Sequence, residues 1–114
     1  MDAYCEYLAS MVSLLRGAEA ALEESKPNDR RIPFIHILTT TFACHLERAE
    51  IRKASPAAEL EFVSSIGPSV RELGRHVAAS AILKTPTPDE VESFQKAVVE
   101  ISRAFLERDR SMLM

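Results

Sequence analysis

Thr85-Pro86-Thr87-Pro88-Asp89-Glu90 is the stretch from which the fold can be read. Proline fixes φ and donates no backbone hydrogen bond, so the Pro86/Pro88 pair stops whatever precedes it. Pro88 suits the first position of a helix, where its missing N–H would have no partner anyway. Thr87 and Glu90 then make a capping box: the hydroxyl accepts from the Glu90 amide and the carboxylate reaches back to the Thr87 amide. Downstream, Val91, Phe94, Val98, Ile101 and Phe105 step by three and four, which lines one face of a helix. Upstream lie two more junctions of the same kind. Ser55-Pro56 is an N-cap followed by a first-turn proline, and Ser25-Lys26-Pro27-Asn28-Asp29 ends a helix, because the residue before proline avoids α geometry.

These junctions divide residues 1–114 into four stretches within a single domain. The first helix is expected over roughly Ala3–Glu24, with Tyr4, Leu8, Met11, Leu15, Ala18 and Leu22 on its apolar face, widened by Tyr7, Leu14 and Ala21. The second runs over Pro33–Ala54, with Ile35, Leu38, Phe42, Leu46 and Ala49 as its stripe, Phe34 and Ile37 beside it, and a charged end. Thr39-Thr40-Thr41 is a poor helix-forming run, so packing must hold it. The third uses Leu60, Val63, Val70, Leu73, Val77 and Ile82. Gly67-Pro68 lies inside it, and an interior proline costs about 3 kcal/mol, which predicts a kink or a split there. The tail after Asp109 is expected to fray. The fold class is therefore all-α: an antiparallel four-helix bundle with its third helix kinked or split at Gly67-Pro68.

Composition excludes several classes. Apolar residues make up 46% of the chain, too many for a disordered tail. The net charge of -3 is interleaved, which leaves no basic footprint for nucleic acid. The longest apolar run, Val77-Ala78-Ala79-Ser80-Ala81-Ile82-Leu83, is too short to cross a membrane. Cys5 and Cys44 form no motif; two thiols and no recognisable leader predict a reducing, cytoplasmic setting with both cysteines free.

Chemistry-bearing residues are few. Cys5, Cys44, His36, His45 and His76 show no spacing of three or four, so no metal site is predicted. Cys44 is expected to face a neighbouring helix as a small apolar residue, and His45 to be a hydrogen-bonded boundary residue. No nucleophile sits beside a histidine in a recognisable turn, and there is no phosphate loop, so neither catalytic nor cofactor-binding residues are assigned. Small helical RNases of the HEPN type carry Arg, four to six residues, then His. Arg71 and His76 fit that spacing, as do Arg30 or Arg31 with His36. Positions five apart on a helix diverge by about 140°, so the pattern gives a site only if a fold or dimer brings the two together.

In order, Lys26-Pro27-Asn28-Asp29, Glu50-Ile51-Arg52-Lys53-Ala54-Ser55-Pro56, Leu73-Gly74, Pro86-Thr87-Pro88 and Ser102-Arg103-Ala104-Phe105-Leu106-Glu107-Arg108-Asp109 form a series. This series resembles the N-terminal helical domain of cyclase-associated proteins over about residues 10–109. The family has tryptophan after Leu-Gly where this chain has Arg75, and Asn-His-Leu-Ser where it has Glu59-Leu60-Glu61-Phe62. The resemblance implies a non-catalytic platform for actin or cofilin–actin, with Arg103 at the contact and Glu107 and Arg108 beside it as exposed partners. The expected function is thus a non-enzymatic helical interaction module, with actin regulation as its implied form. The alternatives are a dimeric HEPN-like RNase and a structural or regulatory bundle that dimerises through the broad apolar face of the first helix.

Overall fold

The computed structural model describes residues 3–51 and 55–113, with side chains as far as Arg110. Its elements are α1 (Ala3–Ser25), α2 (Arg31–Ile51), α3 (Pro56–Val77), α4 (Ala79–Ile82) and α5 (Pro88–Leu113). The described residues contain no strand. Both predicted caps form. Ser55 accepts from the Ala58 amide at 3.2 Å, ahead of Pro56. Thr87 and Glu90 exchange hydrogen bonds of 3.1 and 3.2 Å. Thr39 and Thr41 each donate to the carbonyl four residues back, at 2.8 Å, which satisfies their hydroxyls inside the helix. The charged residues Arg52 and Lys53, and the expected end of the second helix at Ala54, lie outside the described residues.

Two antiparallel hairpins, α1/α2 and α3/α5, pack through α2 against α5 and, more lightly, α1 against α3. The four long helices therefore stand at the corners of a square in the order α1, α2, α5, α3. The bundle measures 41 × 25 × 20 Å, its length set by the 26 residues of α5 at about 1.5 Å each. Phe42, Phe94 and Phe105 are fully buried on its axis among Leu8, Leu15, Leu22, Ile35, Leu38, Leu73 and Ile101. The core line of α1 is thereby consumed inside the monomer: Leu8 and Leu15 have no exposed surface, while Leu14 on its flank is 45% exposed.

The third and fourth stretches depart from expectation in three ways. The chain does not split at Gly67-Pro68: α3 runs through Pro68 without interruption. Pro68 and Ser64, whose carbonyl loses the proline's hydrogen bond, are both exposed. Water can serve the orphan carbonyl, and the proline is on the solvent side of the helix. The break falls at Ala78 instead, whose extended ψ of 148° turns the chain into the one-turn helix α4. The inward stripe also sits in another register. Leu60 is 68% exposed, whereas Phe62 and Ile66 are buried. Leu60 and Phe62 lie about 200° apart on a helix, so only one can face the core. Phe62 is the one that stacks with His45 and meets Phe105 edge-on. Finally, α5 stays helical to Leu113 rather than ending near Asp109.

Candidate functional site

Polar chemistry gathers at the two ends of the square. At one end, Asp29 precedes α2 and Arg31 opens it. The Asp29 carboxylate accepts the Arg31 amide at 2.9 Å and closes a local turn. The same carboxylate takes Nε and Nη2 of the Arg31 side chain, each at 3.0 Å. Arg31 is 2% exposed, and its guanidinium reaches across the bundle to three main-chain carbonyls: Ile82 at 2.7 Å, Lys84 at 3.2 Å and His76 at 3.4 Å. Those of His76 and Ile82 are carbonyls that helix ends leave without intrahelical partners. A buried cation here meets the negative ends of α3 and α4 and ties the α3–α4 corner to the start of α2. The Arg31 hydrogen bond holds the Asp29 carboxyl below its ordinary range.

Just below lies a hub on Glu72. Ser93 donates to it at 2.6 Å, His76 lies 3.2 Å away, and Arg75 pairs with its other oxygen at 3.1 Å. Above, a cleft of about 620 Å³ opens between the two loops, lined by Asn28, Arg30, Thr85, Pro86, Val91 and Glu92 among others. Lys26 and Thr85 bridge the loops at 3.3 Å.

At the opposite end, Tyr4 of α1 meets His45 of α2, its hydroxyl 2.8 Å from His45 Nε2. Burial raises the Tyr4 phenol to about 12, against the opposing pull of Arg108. The phenol therefore stays protonated and donates, which makes Nε2 the acceptor and puts the imidazole proton on Nδ1. Nδ1 faces Asp109 of α5 at 3.3 Å but is too poorly aligned for a hydrogen bond. Burial pushes the His45 pKa down; Arg108 and Arg48 add to that and Asp109 opposes it. The other oxygen of Asp109 binds Arg48, whose pKa it raises. The Arg108 guanidinium lies over the rings of Phe62, at 4.8 Å, and Tyr4, at 5.6 Å. A phenol and an imidazole are thus hydrogen-bonded in the core, with a part-exposed carboxylate beyond the imidazole's unbonded Nδ1. His45 is 4% exposed and packed against Phe62 and Phe105.

The residues singled out from sequence fall as follows. Arg103 and Glu107 are exposed on α5. Arg108 is not an exposed partner: it is half-buried, with Nε enclosed and unbonded, because its planar cation finds two aromatic faces beneath it. Cys44 does not face a neighbouring helix; it points outward, while Cys5 is buried. His45 is inside the core rather than at its boundary. The Arg71/His76 pair is not brought together within the chain. Arg71 is exposed and lies back toward Gly67, while His76 turns inward to Glu72 and the edge of Phe94. Arg31 likewise points into the bundle and His36 outward to Glu19, at 3.4 Å. Among the described residues, no group of histidine, cysteine and carboxylate side chains has the geometry to hold a metal ion. Among the described residues, no helix is long and apolar enough to cross a membrane.

The signal for Arg31 was present in part, as Asp29-Arg30-Arg31 directly after a helix-ending proline, an acid–base pair at a helix start. The outward ridge of α5 was also readable by period. Glu92, Lys96, Val99, Arg103, Leu106 and Arg110 all project from the side opposite the Phe94/Ile101/Phe105 core face, and all are exposed. No protein-family model matches this chain, and neither a curated protein nor a solved structure is detectably similar to it.

Proposed function

We propose that this chain is a non-catalytic helical interaction module whose partner meets the outward ridge of α5. One observation carries the reading. Val99 and Leu106, 49% and 52% exposed, stand one turn on either side of Arg103. Two large apolar side chains flanking an unpaired arginine make a patch suited to a partner that offers a carboxylate within an apolar surround. The interior supports the same reading from the other side. Its ionisable groups are engaged with each other and with main-chain carbonyls, which suits holding helices in register.

The finer form, in which the partner is actin or cofilin–actin, draws on the resemblance and on the exposure of Arg103 and Glu107. Co-sedimentation with actin, with and without cofilin, tests it. The full chain is expected to pellet with filaments at tens of micromolar, and Arg103→Glu to weaken this at least tenfold. No pelleting of the folded chain, or pelleting unchanged by Arg103→Glu and Leu106→Ser together, removes the actin form.

A further inference from the structure

Ser55-Pro56, Thr85-Pro86 and Thr87-Pro88 each place a hydroxyl directly before a proline, which is the minimal acceptor of a proline-directed protein kinase. The fold separates the three. The Ser55 and Thr87 hydroxyls are helix caps, accepting the Ala58 and Glu90 amides at 3.2 Å each. The Thr85 hydroxyl belongs to no helix. It is exposed and meets the ammonium of Lys26, from the α1–α2 loop, at 3.3 Å.

The backbone presents Thr85 outward. Pro86 keeps the residue before it out of α geometry, and residues 85–87 run between α4 and α5 with neither helix nor turn. Both ends of this stretch are anchored: Arg31 holds the Lys84 carbonyl at 3.2 Å, and the capping box holds Thr87. The acceptor hydroxyl thus stands on a short extended segment between fixed points.

Charge then favours a phosphate at Thr85 over one at Thr87. Thr85 shares the cleft of about 620 Å³ with Asn28, Arg30 and Pro86. Two carboxylates also line it, Asp29 and Glu92, but Asp29 is neutralised by its ion pair with Arg31. A dianion on Thr85 would exchange one neutral contact for charge-assisted bonds to Lys26 and Arg30. A dianion on Thr87 would compete with the Glu90 carboxylate for the Thr87 amide, which Glu90 holds at 3.1 Å, and would stand beside Asp89.

We infer that Thr85 is a phosphorylation site whose phosphate clamps the α4–α5 loop to the α1–α2 loop through Lys26 and Arg30. The donor is a nucleoside triphosphate held by a proline-directed kinase. A P–O bond forms at Thr85 Oγ1 as the bond from the γ-phosphorus to the nucleoside diphosphate breaks, and the hydroxyl proton passes to the kinase's base. The site is separate from the Arg103 patch. It adds to the Arg31 end a tie that enzymes make and remove.

Incubating the full chain with a cyclin-dependent protein kinase, ATP and Mg²⁺, then mapping the phosphate by mass spectrometry, tests the assignment. Thr85 should be modified at least about fivefold faster than Thr87 or Ser55, because those two must first give up a helix cap. The phosphate of the purified product, followed by ³¹P NMR, should titrate below about 5.5, against about 6 for an exposed phosphothreonine. Lys26→Ala with Arg30→Ala should return it to the ordinary value, and Arg103→Glu should change neither result. Transfer only to Thr87 or Ser55, or no transfer, overturns the inference. So does a Thr85 phosphate that titrates as an exposed one, or one whose titration the double alanine variant leaves unmoved.

Discussion

The two ends of the bundle solve the same problem with different chemistry. Each end needs a tie between the α1/α2 hairpin and the α3/α5 hairpin. At the Arg31 end the tie is a permanently charged guanidinium, ion-paired to Asp29 and bound to three carbonyls. At the His45 end it is a neutral imidazole between a phenol and a carboxylate, surrounded by Arg48 and Arg108. The first arrangement is indifferent to pH across the physiological range. The second changes its hydrogen-bond logic when one proton arrives. A buried cation is a fixed tie, whereas a buried histidine is a conditional one.

The largest way to break the comparison is Arg31→Met. It leaves Asp29 buried without its cation, with a side chain 8% exposed, and strips three carbonyls of a donor. Breaking a buried pair from one side costs about 3–5 kcal/mol, a large share of the stability of a domain this size. Urea unfolding should show this loss.

Tyr4→Phe sharpens the other side of the comparison. It removes the hydrogen bond to buried His45 Nε2, for a loss of about 1–2 kcal/mol at pH 7.5 by the same measurement. That loss should shrink only where the pH falls low enough to protonate Nε2, below the ordinary histidine value, because burial pulls the His45 pKa down.

The pH profile of the unaltered chain gives a third test. Burial lowers the His45 pKa in the folded state, so the unfolded chain binds the proton first as pH falls. Stability is complete above the ordinary histidine value and declines as pH drops below it. His45→Leu should flatten that decline, read as the urea midpoint from pH 7.5 to 5. An unchanged slope would assign the decline elsewhere.

The smallest effect is a gain. Gly74 sits in the last turns of α3, just before the Arg31 corner, and a Cβ there would meet nothing within 4 Å. Gly74→Ala should add about 0.5–1 kcal/mol by removing chain freedom from the unfolded state. It would do so without touching either tie.

Much of this architecture was legible because helix ends are decided locally. Ser55-Pro56 and Thr87-Pro88-Asp89-Glu90 place their caps through contacts three residues apart. The stripes of α1, α2 and α5 were legible for the same reason. Periodicity did less for α3, where Leu60 and Phe62 compete for one face and only the waiting rings of His45 and Phe105 decide between them. The split at Ala78 rather than Pro68 depends on which side of the helix is wet, a property of the assembled bundle. Arg31 was the hardest to see. Its acceptors on residues 76, 82 and 84 are backbone atoms, which leave no mark in a sequence, and it stands beside an exposed Arg30 in the turn before the helix. Arg108 hid in the same way among charged neighbours.

The square arrangement also sets an order of events in time. Each hairpin closes over a short stretch of chain, so α1/α2 and α3/α5 contacts are inexpensive to form early. The ties at either end span much longer intervals, 45 to 53 residues for the Arg31 carbonyls and 61 for Arg48 with Asp109. Such contacts are expected to form after the rate-limiting barrier. Their loss should therefore leave the refolding rate nearly unaltered and accelerate unfolding. The two polar centres act as latches on the finished bundle: they govern how long it stays closed and have little influence on how fast it closes.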